Sequence, residues 1–598
     1  MTASIDYENR LTRLRAWMQE ERLSVVLISS ADEFLSEYAP PYAQRLKWLT
    51  GFTGSMGEAL VTTDQAFLFV DGRYVEHARR EVPTQFQVVH TADQTQGGWL
   101  SKNLKVEDKV GVYGWTLSVE SGIAFKDLIM NMGATLAFLE NHPVDLFWDD
   151  RPLAPRGDVV IHPLIFAGKS FEEKVITLKQ MMVQKKIDTY VLVNANAICW
   201  LLNLRGEDHS ETPIFYSYLL LHAQGPSALF ISDRTGLDDV RAHLKGLVDI
   251  YPLDHFMEHL KGISKNQKVG FDGLETPFAI SNALTVEGHL TVRVDDLTAM
   301  PRATKNPMEV AGARKCHIAD GLALARTFCW LEHRVSEGIH TTEHDIALKM
   351  IEERSKDPLF RMPSFATIAG FGANSSVMHY RAPEEGSKVL TNQGFLLIDS
   401  GGQYLNGTTD VTRTFAFGDI IEDHKQAYTR VLKGHIQLAK AVFPIGTKGW
   451  QLDVLARGPL WQAGLDYAHG TGHGVGSYLS VHENPMYIGG SSRFQYPFEV
   501  GMVCSNEPGC YVAGVYGIRI ESLMTVVHST AVPGMLSFEI ITRAPISLIP
   551  VVRGMLLGEE VAWVNDYHAQ VWKDLSPLIS TEESDVKVWL EKACKAIV

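Results

Sequence analysis

The sequence predicts a multidomain chain of mixed α/β and α+β class: two tandem copies of one α/β domain, then a longer third unit with a helical tail. Three observations carry that prediction. The first half repeats itself at a nearly constant offset, breaker-rich segments fall near residues 151–162 and 301–307, and the chemistry-bearing motifs are concentrated beyond them.

The repeat begins with a helical stripe, Tyr7, Leu11, Leu14 and Met18, followed by the strand-like run Leu23–Ser29. The same order returns later, where FEEKVITLKQMMVQKK precedes the run Ile187–Asn194. Trp48–Gly54 (WLTGFTG) then matches Trp200–Gly206 (WLLNLRG), Phe67–Arg73 matches Ala228–Arg234, and Lys109–Gly114 matches Lys268–Gly273. These three pairs are offset by 152, 161 and 159 residues. RPLAPRG, from Arg151, marks the junction between the copies, and PRATKNP (Pro301–Pro307) closes the second. The predicted divisions are residues 1–155, 156–300, 301–535 and 536–598. A long helix is expected from about Met308. Val561, Val564, Tyr567 and Val571 place another in the tail, packed on the third unit or on a partner subunit.

Length and composition agree. At about 150 residues per domain, 598 residues make about four units. A hydrophobic content of 45% with 21% charged residues belongs to an ordinary globular protein and excludes collagen, a disordered tail and a coiled-coil rod. The net charge of -15 argues against a nucleic-acid partner, because a phosphate backbone calls for a basic face. No run approaches the roughly 18 apolar residues of a membrane helix, and no secretory h-region is visible, so no membrane partner is expected. Six cysteines without a CxxC spacing argue against a disulfide framework or zinc ribbon and predict a reduced, cytoplasmic enzyme.

Four motifs in the third unit carry the chemistry. In Gly394–Phe415 an apolar run ends at Asp399, a glycine pair permits a bend, and Asp410 follows eleven residues on. Taken alone, both aspartates are equally well explained as turn residues. HGTGHGVG (His469–Gly476) is too glycine-rich for a helix and presents His469 and His473 from a loop or strand. GMVCSNEPGCY runs into Glu507, and Pro508-Gly509 turns the chain. In GIRIESLMTVV strict alternation sets Arg519 and Glu521 on one face, with Ile518 and Ile520 on the other. A lone glutamate there is more often solvated. The set decides: Asp399, Asp410, His473, Glu507 and Glu521 make four carboxylates and one imidazole. Four anions in one pocket repel one another, and two divalent cations neutralise them. Oxygen-rich ligation with one nitrogen suits Mn²⁺, and also Co²⁺ or Zn²⁺.

In order and spacing these motifs resemble the creatinase/methionine-aminopeptidase metallopeptidases. The resemblance implies a pita-bread catalytic domain with a C-terminal extension, preceded here by two creatinase-N-like α/β domains. It makes Asp399 a terminal ligand and Asp410 and Glu521 bridges, with His473 and Glu507 on the other metal. Glu507 is also the implied general base or acid. His379 (VMHYRAP), His469 and His482 (SVHENP) match the histidines that hold the peptide and stabilise the oxyanion, and Arg519 and Tyr511 match substrate-pocket residues. The tandem N-terminal domains and the segment Leu556–His568 are similar to the long cytosolic Xaa-Pro aminopeptidases. That subgroup implies a manganese-dependent homodimer removing the first residue from peptides with proline second, by attack of a hydroxide shared between two metals. A prolidase, which cuts only Xaa-Pro dipeptides, is the alternative. A non-enzymatic pita-bread peptide or histone binder would lack the five ligands. One departure stands out: the usual pair of tyrosines after NEPG is here Cys510 and Tyr511.

Overall fold

The computed structural model describes residues 6–490 and 496–598. Its chain forms two compact units, one made of residues 1–161, 170–209 and 214–298, the other of 162–169, 210–213 and 299–598.

The first unit contains the repeat. In the first copy β1 (Val25–Ser29), β2 (Glu58–Thr62), β3 (Ala66–Val70), β4 (Gln87–His90), β5 (Lys109–Val112) and β6 (Thr135–Phe138) form one sheet in the order β4-β3-β2-β1-β5-β6. In the second, β7 (Thr189–Leu192), β8 (Ser217–His222), β9 (Ser227–Ile231), β10 (Val248–Pro252), β11 (Lys268–Phe271) and β12 (Leu290–Arg293) repeat it as β10-β9-β8-β7-β11-β12. Corresponding pairs run in the same sense: β1 is antiparallel to β2 and parallel to β5, as β7 is to β8 and β11. The predicted stripe forms the helix Tyr7–Glu20, with Leu11, Leu14 and Met18 buried. Its counterpart Phe171–Gln184 opens with a capping box between Ser170 and Glu173. Even the glycines correspond. A Cβ on Gly111 would meet Leu23 Cδ1 at 3.0 Å, and one on Gly270 would meet Ile187 Cδ1 at 2.8 Å. The offset drops at Trp48 because the chain between β1 and the helix Arg45–Thr50 is longer than its counterpart before the helix Ala195–Leu202.

The copies meet through reciprocal contacts. Val119 N donates to Thr276 O (2.9 Å), and Phe278 N donates to Leu117 O (2.8 Å). Each pair becomes the other when a residue is replaced by its counterpart in the other copy. Gly114 lies against Ala279 in the same way that Gly273 lies against Glu120.

Just after β1, Asp32 is fully buried. Its Oδ1 accepts from the backbone N–H groups of Phe34 and Ser36, both at 2.9 Å, and its Oδ2 has no hydrogen-bond partner among the described residues. Burial raises the carboxyl to about 6, with Glu33 adding repulsion. The folded state therefore holds this proton more tightly than the unfolded chain, and ionisation costs stability as pH rises from about 4 to about 6. Asp32→Asn removes the titration. The stability of the variant relative to wild type is expected to rise by roughly 2 kcal/mol between pH 4 and pH 7 in urea titrations. A pH-independent difference would contradict this.

In the second unit the helix Pro307–Ser336 has Asn306 as its N-cap, which forms a capping box with Glu309. Leu324, Phe328 and Leu331 of this helix enter a core with Val431, Leu432 and Ile436 of the helix Glu422–Ala439. The tail helix Gly558–Leu575 packs on the same core of its own unit, with Val564, Val571 and Leu575 wholly buried. Each such side chain contributes about 1.5–3 kcal/mol. Gly394–Ser400 lies between Ile368–Phe371 and Val411–Phe417 in an antiparallel sheet. A six-stranded antiparallel sheet runs in the order Val442–Pro444, Met535–Ile540, Ser522–His528, Val503–Asn506, Gly472–Gly474, Glu483–Ile488.

Candidate metal centre

The four motifs converge because these two sheets present their strand ends to one another. Asp399 sits near the end of Gly394–Ser400, paired with Thr412, and Asp410 immediately precedes the neighbouring strand. His473 is the middle residue of Gly472–Gly474, whose glycines permit close approach. A Cβ on Gly472 would lie 2.1 Å from Ser505 O, and one on Gly474 would lie 2.3 Å from Glu483 O. Glu507 follows Val503–Asn506 and is tied to the histidine motif by its N–H, which donates to Thr471 O (2.8 Å). The expected alternation through Arg519 and Glu521 holds, but the strand does not run straight through. Tyr516–Arg519 pairs with Gly509–Val512, Ser522–His528 belongs to the large sheet, and Glu521 occupies the break. It is 2% exposed rather than solvated.

Donor atoms of Asp410, His473 and Glu521 lie within 4.8 Å of one another. His473 Nε2 is 3.4 Å from Asp410 Oδ2 and 3.5 Å from Glu507 Oε1. Its Nδ1 bonds the carbonyl of Gly474 (3.0 Å), which points Nε2 at the carboxylates. Asp399 Oδ2 accepts from Arg519 Nη2 (2.5 Å), while its Oδ1 is buried without a hydrogen-bond partner among the described residues. Burial and the neighbouring acids push Asp399 up to about 6 despite Arg519, push Glu507 up, and push Glu521 well above the usual carboxylate range. Burial pulls the His473 imidazole down, but Asp410 and Glu507 outweigh it and raise it to about 9. The pocket is therefore short of positive charge, and its donors are carboxylate oxygens with one imidazole nitrogen. Both properties fit a pair of divalent cations.

The surrounding residues form a chain of hydrogen bonds. Arg519 Nη1 donates to Tyr511 Oη (2.6 Å), so the Tyr511 hydroxyl donates onward to His469 Nε2 (2.9 Å), and His469 Nδ1–H donates to Gly470 O (2.7 Å). His469 Nδ1 lies 3.6 Å from Glu507 Oε2. The His482 ring stands edge-on to that of His473, with centroids 4.4 Å apart. His379 follows the short helix Gly372–Ser376, which is pinned beside the site by Gly517 N donating to Ser375 Oγ (2.6 Å). Cys510 faces away, into the core, where its thiol is paired with the Tyr516 hydroxyl.

Sequence reasoning missed Thr412 and Ser505. The Thr412 hydroxyl accepts from Arg519 Nε (3.0 Å) and donates to Glu521 Oε2 (2.7 Å), and Ser505 Oγ accepts from His473 N (2.9 Å) and donates to Glu507 Oε1 (3.2 Å). Strand alternation offered the signal in both cases. Thr412 lies two residues after Asp410, and Ser505 lies two before Glu507.

With this geometry in hand, the comparisons with known proteins are specific. Residues 311–528 match the model of metallopeptidase family M24. Residues 10–139 and 150–309 match models of the creatinase/prolidase N-terminal domain, and residues 534–597 match the C-terminal region of peptidase M24. An Aspergillus niger protein named probable Xaa-Pro aminopeptidase P is 38% identical over 99% of both chains. The chain belongs to metallopeptidase family M24. A Laccaria bicolor protein of the same name is 36% identical over 99% of this chain and 94% of its own length. The crystal structure of the X-prolyl aminopeptidase from Caenorhabditis elegans, described as a cytosolic enzyme with a di-nuclear active site, superposes with a TM-score of 0.95. It is 32% identical and covers 99% of this chain and 100% of its own. The Bacillus anthracis Xaa-Pro dipeptidase, at 23% identity and a TM-score of 0.51, covers 64% of this chain and 99% of its own, and shares the fold. Membership in M24 makes the chain a hydrolase built as two creatinase-N-like domains, an M24 catalytic domain and its C-terminal region.

Proposed function

We propose that this chain is an Xaa-Pro aminopeptidase, working with two divalent cations, Mn²⁺ by preference, held by Asp399, Asp410, His473, Glu507 and Glu521. The observation that carries this is the convergence of Asp410, His473 and Glu521 within 4.8 Å, flanked by Asp399 and Glu507, whose carboxyls burial raises. The cations, when bound, supply Lewis acidity and lower the pKa of a bound water. The chain's own residues do the rest. His379, His469 and His482 hold the substrate peptide, and His482 faces the scissile carbonyl oxygen as a donor. Arg519 and Tyr511 fix Asp399 and His469 and close the substrate side of the pocket. Glu507, within hydrogen-bond reach of Ser505, carries a proton to the departing proline nitrogen. That nitrogen bears no N–H, and its ring locks φ near roughly -65°, so a pocket that accepts the ring selects such bonds.

The reading includes domain divisions at 155/156, 300/301 and 535/536, supported by the order and extent of the four family-model matches. A reducing, cytoplasmic setting is supported by six free cysteines and by the cytosolic nematode relative. No helix among the described residues is long and apolar enough to cross a membrane. A homodimer is supported by the helix Gly449–Trp461, which leaves Trp450, Val454 and Trp461 about half exposed, a face suited to a second copy.

Metal-depleted enzyme resupplied with Mn²⁺, Co²⁺ or Zn²⁺ is expected to cleave Xaa-Pro-Yaa peptides and to spare Xaa-Ala-Yaa, with Mn²⁺ giving the highest turnover. Cleavage confined to Xaa-Pro dipeptides would make it a prolidase.

A further inference from the structure

The C-terminal region has no donor in the carboxylate cluster, yet it reaches the backbone of that cluster through one buried cation. Arg413 lies in the strand Val411–Phe417 and is 1% exposed. Its acceptors among the described residues are carbonyls and hydroxyls, with no carboxylate oxygen among them. Nη1 donates to Thr412 O (2.8 Å) and to Glu521 O. Nε donates to Pro545 O (3.1 Å). Nη2 donates to Ala544 O (2.8 Å), to the hydroxyl of Tyr567 (2.9 Å) and more weakly to Ser522 Oγ (3.3 Å). Because Tyr567 Oη accepts from Arg413, its own proton goes to Ala544 O at 2.7 Å. Arg413, Tyr567 and Ala544 form a closed triangle.

The two sides of this guanidinium differ in what they hold. One fixes Thr412 O and Glu521 O, which belong to the strand entered from Asp410 and to the strand break occupied by Glu521. Glu521 N also donates to Thr412 O (3.1 Å), so the two segments are locked at one point. The other side is built from residues 544, 545 and 567, beyond the last sheet strand, Met535–Ile540. Tyr567 stands on the tail helix Gly558–Leu575. The next residue, His568, accepts from Ile546 N (3.0 Å) and braces the same segment.

We propose that Tyr567 is a positioning residue for the metal centre: through Arg413 it sets the spacing between the backbone segments that carry Asp410 and Glu521. The inference rests on these two carboxylates being metal ligands, as read above. Outer-shell hydrogen bonds of this kind orient ligands, and their loss costs about 10- to 100-fold in metal affinity or activity.

The test is calorimetric titration of metal-depleted, full-length protein with MnCl₂, together with steady-state kinetics on an Xaa-Pro-Yaa peptide. Tyr567→Phe removes one hydroxyl and no packing volume. It is expected to weaken Mn²⁺ binding about 10-fold and to lower kcat by a similar factor, with KM within about 2-fold. Tyr428→Phe is the comparison. That hydroxyl donates to Ser547 O (2.7 Å) in the same segment but makes no hydrogen bond to Arg413, so Tm should fall while Mn²⁺ affinity holds. Arg413→Lys keeps the charge and loses the fork, and it should weaken Mn²⁺ binding at least as much as Tyr567→Phe. Mn²⁺ affinity in Tyr567→Phe equal to that of Tyr428→Phe would overturn the proposal, as would wild-type affinity in Arg413→Lys. Failure of wild type to bind two equivalents of Mn²⁺ would overturn the dinuclear reading and this inference together.

Discussion

Asp410→Ala is expected to abolish binding of a pair of divalent cations and to reduce turnover on Xaa-Pro peptides by more than the roughly 100-fold that loss of an outer-shell partner can cost. Asp410 is the carboxylate closest to His473 Nε2, at 3.4 Å, and shares the tightest donor group with Glu521. Alanine removes a group that faces both. The same substitution removes a like charge that raises Asp399, Glu507 and Glu521, so the metal-free variant should melt no lower than metal-free wild type. This pair of outcomes distinguishes a lost ligand from a damaged fold. Calorimetric titration with Mn²⁺ and thermal melts in chelator measure both, and retained turnover in Asp410→Ala would sink the dinuclear reading.

Chelation is expected to lower the melting temperature of the wild-type enzyme. Cations that bind only the folded state stabilise it by about 2.7 kcal/mol per site at one hundred times Kd, and two sites roughly double that. At about 2–4 °C per kcal/mol for a large domain, the shift should be on the order of 10 °C. The direction follows from the cluster itself. Without cations, buried Asp399, Glu507 and Glu521 either stay protonated or repel one another, and both alternatives cost folding free energy. Scanning calorimetry with EDTA, then with Mn²⁺ restored, measures the shift. A melting curve unmoved by EDTA would mean that the carboxylates do not act as a metal site.

The features legible in the sequence were those carried by periodicity and by unusual local composition. The stripe Tyr7 to Met18 and the matched strand pairs made the repeat visible because buried strands tolerate few residue types, whereas the loop before Arg45 varied in length and disturbed the offset. The glycines around His473 were legible because a Cβ there collides with backbone oxygens. The break at Glu521 was not, because alternation continues through Ile520 while the two flanking strands join different sheets. Thr412 and Arg413 escaped for a related reason. Their partners lie more than a hundred residues away, at Glu521, Ala544 and Tyr567, and no local pattern encodes such a pairing. Arg519 was expected in the substrate pocket. Its bonds to Asp399 and Thr412, again distant in sequence, were not encoded in any local pattern.

The reciprocal bonds between Val119 and Thr276 and between Phe278 and Leu117 are those of a twofold dimer whose halves have been threaded onto one polypeptide. Tethering changes what such an interface must achieve. A short linker holds its partner at an effective concentration of about millimolar, so a contact too weak to pair free molecules stays closed. It also ends the rule that every substitution appears twice. Position 279 is alanine while its counterpart, position 120, is glutamate, a difference that a true homodimer could never acquire. On one polypeptide the two halves are free to carry different residues at paired positions.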